Sequence, residues 1–195
     1  MRLAVFASGS GTNFEAIYHS CCQLTHTWEL ALLFCDQPGA YVCQRAQKLG
    51  VALEQFSPKD FATRDAYEQA LVDMCQNYHI DFIALAGYMR IIHKPMLQAF
   101  PQKIINIHPA LLPAFPGACA IHDAFEAGVQ TSGVTVHYID EGIDTGSIIA
   151  QVEVPRLETD TPSSFEARIH EAEHELYPRV LMQIARQQLA HSSRA

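Results

Sequence analysis

Hydrophobic positions along the chain fall into two alternating patterns. Short apolar runs, typical of buried strands, are separated by longer segments in which apolar residues repeat at helical spacing. The apolar runs predict strands at 3–7, 29–35, 52–56, 82–86, 103–107, 134–138 and 148–154. The helical spacing predicts helices at 14–22, 42–49, 64–78 and 121–127, and a long closing helix at 163–189. The alternation of the two indicates an α/β fold.

The order of these elements also predicts the kind of sheet. Strands joined through helices run parallel, so we expect a Rossmann-like, mostly parallel sheet flanked by helices. The last two predicted strands have only a loop between them, so the C-terminal part of the sheet should be mixed or antiparallel. In such folds ligands bind at the carboxyl ends of the strands. Since the pattern contains no internal repeat or linker, we expect a single domain at 1–190 and a frayed tail at 191–195.

Composition narrows the class of protein. A chain of 195 residues can bury a sizeable core, and 49% hydrophobic with 17% charged residues is typical of a soluble globular protein. No apolar run approaches the roughly 20 residues of a membrane span, and residues 1–9 predict a first strand and turn rather than a secretory signal. The net charge of −8 argues against nucleic acid as a partner, because phosphate backbones are held mainly by clustered Lys and Arg. We therefore expect small-molecule substrates.

The six cysteines are scattered along the chain without a paired metal spacing. In the absence of a secretory signal they predict reduced thiols in a cytoplasmic protein. Cys119 falls near the candidate site described below, where a nucleophile is one interpretation. Burial as a small packing residue is the commoner fate of a free cysteine, and it is the interpretation that we favour.

A glycine loop, 8–13, connects the first predicted strand to the first predicted helix. Glycines allow a sharp turn, and the following helix offers unpaired amides and a partial positive charge to an anion. Phe14 stands where a dinucleotide fingerprint has its third glycine, and Asp36 does not clearly fall where a ribose would need an acid. The loop therefore favours a single phosphate over NAD. A plain strand-to-helix turn remains the alternative.

A second polar cluster follows the predicted strand 103–107, where Asn106 and His108 precede a proline-rich loop. Asp144, in a later loop, could return to the same place and orient the imidazole. An imidazolium held by a carboxylate can stabilise an oxyanion and supply a proton, while the Asn106 amide donates a further hydrogen bond. The alternative is that Asn106 and His108 merely cap a loop. Sequence spacing leaves the Asp144 contact open.

One motif indicates a different chemistry. His170-Glu171-Ala172-Glu173-His174 matches HExxH, in which two histidines one helical turn apart bind zinc and the glutamate acts as a base. A zinc hydrolase needs a third protein ligand, and downstream only His191 or acids such as Glu175 are available. Short motifs carry a high risk of false positives, and a solvated helix face is the interpretation that we favour, so the sequence favours no metal.

Four segments together resemble the phosphoribosylglycinamide formyltransferases over nearly the whole chain. They are SGSGTNFEAI at 8–17, LAGYMRI at 85–91, NIHPALLPAFPG at 106–117 and GVTVHYIDEGIDTGSIIAQ at 133–151. NIHPxLLP alone would indicate only the wider group of formyl-folate transferases and hydrolases. The glycine loop and the short chain narrow the resemblance to the folate-dependent enzymes of purine synthesis.

The resemblance implies a role for each matching residue. The N-terminal half would form the phosphate side, and the C-terminal half the folate and catalytic side. Asn106, His108 and Asp144 occupy the catalytic positions. Ribonucleotide contacts are implied at Gly11, Thr12, Asn13, His170, Glu171, Ala172 and Glu173, with Glu173 near the amine. Folate contacts are implied at Arg64, Met89, Arg90, Ile91, Ile92, Asn106, Asp140, Glu141, Gly142, Ile143 and Asp144.

The implied reaction is formyl transfer from 10-formyltetrahydrofolate, the cosubstrate, to the amine of glycinamide ribonucleotide. The products would be formylglycinamide ribonucleotide and tetrahydrofolate, in de novo purine (IMP) biosynthesis. We expect a cytoplasmic enzyme, monomeric or homodimeric, with no metal, nucleic acid or membrane involved. Hydrolysis of the formyl-folate and noncatalytic ligand binding are the alternatives.

Two positions depart from the pattern that the resemblance predicts. Cys119 stands where many relatives carry histidine, so any proton relay through that side chain is in doubt. Cys35-Asp36 replaces a Ser-Asn pair at the end of the second strand. Neither departure touches the three residues at the catalytic positions.

Overall fold

A seven-stranded sheet runs through the computed structural model, which describes residues 1–24 and 28–192. The strands are β1 (Arg2–Ala7), β2 (Glu29–Cys35), β3 (Leu53–Gln55), β4 (Phe82–Leu85), β5 (Ile104–His108), β6 (Thr131–Tyr138) and β7 (Ile148–Pro155). The helices are α1 (Thr12–Ile17), α2 (Tyr41–Leu49), α3 (Arg64–Asn77), α4 (Lys94–Ala99), α5 (Ala120–Glu126) and α6 (Pro162–Ser192). A π-helical stretch (Tyr18–Leu24) continues α1, and a 3₁₀ turn (Pro58–Asp60) precedes α3. Strand and helix alternate as the hydrophobic pattern predicts.

The strand order is β3-β2-β1-β4-β5-β6-β7. The pairs from β3 to β5 are parallel, whereas β5 with β6 and β6 with β7 are antiparallel. The predicted mostly parallel sheet with an antiparallel C-terminal part is therefore confirmed. The order changes direction between β1 and β4, and the carboxyl ends of these two strands flank the crevice in which such sheets bind ligands.

Burial on both faces explains the continuous apolar runs of the central strands. In β1, Leu3 and Val5 belong to one buried cluster, and Ala4 and Phe6 belong to the other. Successive side chains of a strand point to opposite faces, so a strand covered on both sides carries apolar residues at consecutive positions. The sheet core therefore extends above and below β1.

The long helix α6 closes one face of the sheet. Tyr177 is fully buried, and its hydroxyl lies 2.8 Å from the carbonyl oxygen of Leu85 and 3.2 Å from that of Ile105. The indole N–H of Trp28 donates to the carbonyl oxygen of Leu181 at 3.0 Å. The Tyr177 contacts join α6 to β4 and β5, and the Trp28 contact joins it to the residue before β2. No helix of the described residues is long and apolar enough to span a membrane.

The structure differs from the predicted elements at a few places. Helix α4 was not predicted, because it has only six residues and carries Pro95 in its first turn, where proline is tolerated but the pattern reads as a break. Strand β6 begins three residues before the predicted start, since Gly133 weakens the strand pattern there. Of the predicted tail at 191–195, residues 191 and 192 still belong to α6, and 193–195 lie outside the described residues.

Candidate active site

Asn106 and His108 lie on β5 and share one face of the strand, because they are two residues apart. Both belong to the strand itself, and His108 is its last residue. His108 is 3% exposed. Its Nε2 lies 2.7 Å from the carbonyl oxygen of Phe115, and its Nδ1 lies 3.5 Å from a carboxylate oxygen of Asp144. Each ring nitrogen of His108 therefore faces an oxygen atom.

Asp144 reaches this place from the loop between β6 and β7. Its Oδ2 accepts the backbone N–H of Gly117 at 2.8 Å, and its Oδ1 lies 3.6 Å from Nε2 of His137. These contacts lower the pKa of Asp144 from 3.8 to about 2, with the His137 contact the largest cause, followed by the Gly117 N–H and the charge of His108. Burial acts in the opposite direction. Asp144 is therefore an ionised neighbour of the imidazole at neutral pH.

His137 is a member of this cluster that sequence reasoning missed. It pairs with Asn106 across β5 and β6, is completely buried, and its Nε2 lies 3.4 Å from the Asn106 amide nitrogen. Its Nδ1 lies 2.9 Å from the carbonyl oxygen of Tyr138, and its Nε2 also faces the Asp144 carboxylate. The signal in the sequence was a histidine within an otherwise apolar strand. Only the register of the antiparallel pair places it beside Asn106.

A cavity of about 100 Å³ opens beside Asn106 and Asp144. One side is formed by Arg90, Ile91 and Ile92, which lie between β4 and α4. The other side is formed by the loop after β6, through Asp140, Gly142, Ile143 and Asp144. We call this the inner cavity. It brings together most of the residues for which folate contact was implied.

The loop beside the inner cavity is folded around a carboxylate. Asp140 Oδ1 accepts the backbone N–H of Gly142 at 3.0 Å and the hydroxyl of Thr145 at 2.7 Å. Such a turn lets an exposed loop hold a defined shape without packing into the core. Glu141, which the resemblance also implied as a folate contact, is exposed and does not line the inner cavity.

A larger cavity of about 350 Å³, the outer cavity, adjoins the inner one and shares Arg90 and Ile91 with it. Arg64 lines the outer cavity together with the buried Glu68. Burial raises the pKa of Glu68, and the backbone N–H of His93 donates to its carboxylate. Arg64, a predicted folate contact, thus lies in the outer cavity rather than beside Asn106.

The glycine loop borders a third cavity of about 230 Å³, the loop cavity, which Gly11, Thr12 and Asn13 line. Gly11 has a φ of 79°, and a side chain there would overlap Val42 of α2, so the turn requires glycine. The loop cavity also contains Pro109, the neighbour of His108. It therefore lies next to the cluster on β5.

Helix α6 contributes His170 and Glu173 to the loop cavity. Glu173 is 4% exposed, and its carboxylate meets the Asn13 amide nitrogen at 3.1 Å and Nδ1 of His170 at 2.8 Å. The contact with Glu173 raises the pKa of His170, although burial opposes the shift. Glu171 and Ala172, two further predicted ribonucleotide contacts, do not line this cavity.

Met89 is placed differently from the sequence expectation. It lines the loop cavity and not the inner cavity, and its backbone N–H donates to the Ser8 hydroxyl at 3.0 Å. The prediction that it belongs with Arg90, Ile91 and Ile92 on the folate side is therefore not matched by its position. Met89 lines the loop cavity and Arg90 lines the inner cavity, so these two consecutive residues form the wall between the two cavities.

Two other expectations can be compared with the structure. Cys119 is exposed at the start of α5, so its interpretation as a buried packing residue is wrong. For the HExxH segment, Nδ1 of His170 is occupied by Glu173, and Nε2 of His174 is buried without a hydrogen-bond partner. Among residues 1–24 and 28–192, no three His, Cys, Asp or Glu side chains are grouped closely enough to hold a metal ion.

Comparison with known proteins identifies close relatives. Residues 1–181 match the family described as formyl transferase. The chain is 49% identical to phosphoribosylglycinamide formyltransferase of Bacillus subtilis over 94% of both chains. It is 40% identical to the trifunctional purine biosynthetic protein adenosine-3 of Drosophila melanogaster over 92% of this chain, which spans 14% of that much longer protein.

Solved structures agree with the sequence relatives. Glycinamide ribonucleotide transformylase 1 from Geobacillus kaustophilus is 52% identical with a TM-score of 0.91, covering 94% of this chain and 98% of that one. The corresponding enzyme from Symbiobacterium toebii is 42% identical with a TM-score of 0.93, covering 96% of this chain and 88% of that one. The likeness therefore extends over nearly the whole fold.

Proposed function

The chain belongs to the formyl transferase family and is a formyl-transferring enzyme, and we propose how its site performs the reaction. It transfers the formyl group of 10-formyltetrahydrofolate to the amine of glycinamide ribonucleotide, a step of purine biosynthesis. The observation that carries this assignment is the position of Asn106, His108 and Asp144. They lie between a cavity built on a glycine loop and a cavity lined by apolar residues and backbone. Two different substrates can thus meet at one polar cluster.

The ribonucleotide binds in the loop cavity. Backbone amides at the start of α1, after Gly11, receive its phosphate, since a helix N-terminus holds an anion without needing net basic charge. Thr12 and Asn13 add side-chain donors beside them. Glu173, held by Asn13 and His170, faces the same cavity and binds the polar part of the nucleotide. The amine of the substrate then extends past Pro109 toward His108.

The folate binds in the inner and outer cavities. Its flat ring enters the inner cavity, between Ile91 and Ile92 on one side and the loop of Asp140 on the other. The apolar walls receive the ring faces, and backbone groups receive its polar edge. The outer cavity takes the acidic tail, because Arg64 and Arg90 supply positive charge along it. Arg90 lines both cavities and marks the junction between ring and tail.

Chemistry takes place where the two substrates meet. The amine attacks the formyl carbon and forms a C–N bond, and the carbonyl oxygen becomes an oxyanion. Asn106 stabilises the oxyanion by donating a hydrogen bond, and His108 does so when its Nε2 donates to it instead of to the Phe115 carbonyl oxygen. The amine nitrogen then loses a proton, N10 of the folate gains one, and the bond between N10 and the formyl carbon breaks. Asp144 keeps the His108 ring oriented and favours its charged form in the transition state. The formyl transfer needs neither an electron acceptor nor a covalent enzyme intermediate.

Positioning supplies a large share of the rate. Both reactants are polar and dilute in solution, and holding them in attack geometry converts a bimolecular reaction into a unimolecular one, with effective molarities that reach about 10⁵ M. The adjacency of the loop cavity and the inner cavity serves this purpose. We further propose that the enzyme acts in the cytoplasm as a monomer or homodimer on these small molecules alone. The net charge of −8 supports small substrates over nucleic acid.

The test is a formyl-transfer assay with the purified chain and both substrates, followed by the absorbance change as tetrahydrofolate forms. We expect turnover only when both substrates are present, with formylglycinamide ribonucleotide identified by mass spectrometry. Formate release without ribonucleotide would replace the assignment with hydrolysis. Binding of both compounds without turnover would overturn the enzyme assignment altogether.

A further inference from the structure

A buried carboxylate lies outside the catalytic cluster and has no part in the reaction described above. Asp36, directly after β2, is completely buried. Its Oδ1 accepts the hydroxyl of Ser8 at 2.5 Å. Its Oδ2 accepts Nε of Arg90 at 2.7 Å and the side-chain amide of Gln37 at 3.1 Å. A charge taken fully out of water needs such partners, and here two of the three partners lie on loops that border substrate cavities.

The contacts of Asp36 with Ser8 and Arg90 connect it to residues that border the substrate cavities. Ser8 begins the glycine loop, and its hydroxyl also accepts the backbone N–H of Met89 at 3.0 Å. Arg90 lines the inner and the outer cavity. One carboxylate therefore connects the start of the phosphate loop with the two consecutive residues, 89 and 90, that form the wall between the cavities. A backbone bond from Ser8 N–H to the Gly87 carbonyl oxygen, at 3.0 Å, parallels this connection.

The contact with Asp36 fixes the position of the Arg90 side chain. It is 36% exposed at the cavity edge, and a free arginine there would lose rotamer freedom whenever a ligand ordered it. The charge-assisted bond to Asp36 orders the guanidinium before any ligand arrives, and the same bond raises the pKa of Arg90 further. Asp36 takes only the Nε–H. The two terminal amino groups lie beyond this bond and remain as donors for a ligand.

We propose that Asp36 is a positioning residue for the folate, which it never touches: it holds Arg90 and, through Ser8, the Met89 backbone in the conformation that binds the folate. This inference rests on the proposed placement of the folate in the inner and outer cavities. It predicts that the charge at position 36 contributes to folate affinity and leaves the chemical step and the ribonucleotide site largely unchanged.

The first test is Asp36→Asn, which keeps the shape and one neutral hydrogen bond but removes the charge. Because a bond to a charged group is stronger than a neutral one, we expect the KM for 10-formyltetrahydrofolate to rise about tenfold. The kcat and the KM for glycinamide ribonucleotide should stay within about twofold of the parent values. Equilibrium binding of tetrahydrofolate, measured by fluorescence, should weaken by the same factor as the KM. Asp73→Asn, at an exposed position of α3, is the matched control and should change none of these values.

A second pair of variants separates positioning from a general structural effect. Ser8→Ala keeps the Asp36–Arg90 ion pair and removes the hydroxyl that joins Asp36 to the Met89 backbone, so we expect a smaller rise in folate KM and normal folding. When Asp36→Asn is added to Arg90→Gln, the affinity for folate should fall by less than a further twofold, because Asp36 has already lost Arg90 as its main partner. Additive effects of the two changes would overturn the proposal, as would an unchanged folate KM in Asp36→Asn.

The outcomes also distinguish this proposal from the proposed function. If the parent enzyme turned over both substrates but Asp36→Asn lowered kcat and raised both KM values equally, the positioning role would be refuted and the function retained. If the parent enzyme did not transfer formyl groups, the function would fail first. Direct tetrahydrofolate binding by the parent and Asp36→Asn would then still test the role of Asp36, with equal affinities refuting it.

Discussion

Replacement of Asp144 by asparagine tests the electrostatic design of the site most directly. The change preserves size and leaves an amide oxygen to accept the Gly117 N–H, so it removes charge without creating a cavity. The side chain is 13% exposed, so solvent screens its interactions only weakly. We expect kcat to fall, because His108 loses the carboxylate that lies 3.5 Å from its Nδ1.

The size of the expected decrease in kcat can be derived from the pKa shift of Asp144. Its pKa falls from 3.8 to about 2, which corresponds to roughly 2.5 kcal/mol, since one pKa unit is about 1.4 kcal/mol. All of that energy applied to His108 would change the rate about a hundredfold. The contacts with His137 and the Gly117 N–H lower the pKa of Asp144 more than the charge of His108 does, so we expect a decrease in kcat of about tenfold.

The assay is steady-state turnover of Asp144→Asn with both substrates saturating, near neutral pH. Asp123→Asn, which removes an exposed carboxylate from α5, is the control and should retain full activity. A kcat for Asp144→Asn within twofold of the parent value would refute the assignment of Asp144 as the group that orients His108.

The lowered pKa of Asp144 also predicts how the free energy of unfolding depends on pH. The folded-state pKa of Asp144 lies below its ordinary value, so the stabilisation is fully present above a pH of about 3.8 and is lost as the pH falls through about 2. The free energy of unfolding should therefore differ between parent and Asp144→Asn by about 2 kcal/mol at neutral pH, and the difference should shrink between pH 4 and pH 2. Urea unfolding at a series of pH values measures it. A difference that stays constant over this range would contradict the shift.

Two further predictions concern other parts of the molecule. Asn13→Ala should raise the KM for glycinamide ribonucleotide about tenfold with little change for the folate, because it removes the amide that meets Glu173 in the loop cavity; a selective loss of folate affinity would count against this placement. Tyr177→Phe should lower the free energy of unfolding by about 1–2 kcal/mol in urea titrations, because two buried carbonyl oxygens of β4 and the neighbouring β5 lose their donor. An equal loss from Tyr41→Phe, at an exposed position, would show that the buried hydroxyl is not the cause.

Some parts of the site follow from local sequence. The glycine loop between a strand and a helix, and the amide and imidazole two residues apart on β5, depend on neighbours in the chain and on strand periodicity. For this reason the sequence alone predicts Gly11, Asn13, Asn106 and His108 as site residues. The strand pattern also predicted the change from parallel to antiparallel pairing, because a direct loop connection leaves no room for a crossover.

Other residues could not be found in this way. His137 reaches Asn106 only through the register of β5 with β6, and Met89 faces the loop cavity rather than its sequence neighbours at Arg90 and Ile91. Asp36 was judged by its distance from the glycine loop along the chain, where a ribose-binding acid would stand. In the folded protein it meets Arg90, far away in sequence.

The sequence by itself thus determined the order of strands and helices, the mixed sheet and the type of chemistry, since hydrophobic periodicity and short motifs are local properties. The tertiary structure decided which side chains share a cavity. It set the distance from Asp144 to His108, the burial of His137 and the contacts of Asp36. The physical reason is that these depend on strand register, on loop conformation and on the packing of α6, each of which joins residues that are distant along the chain.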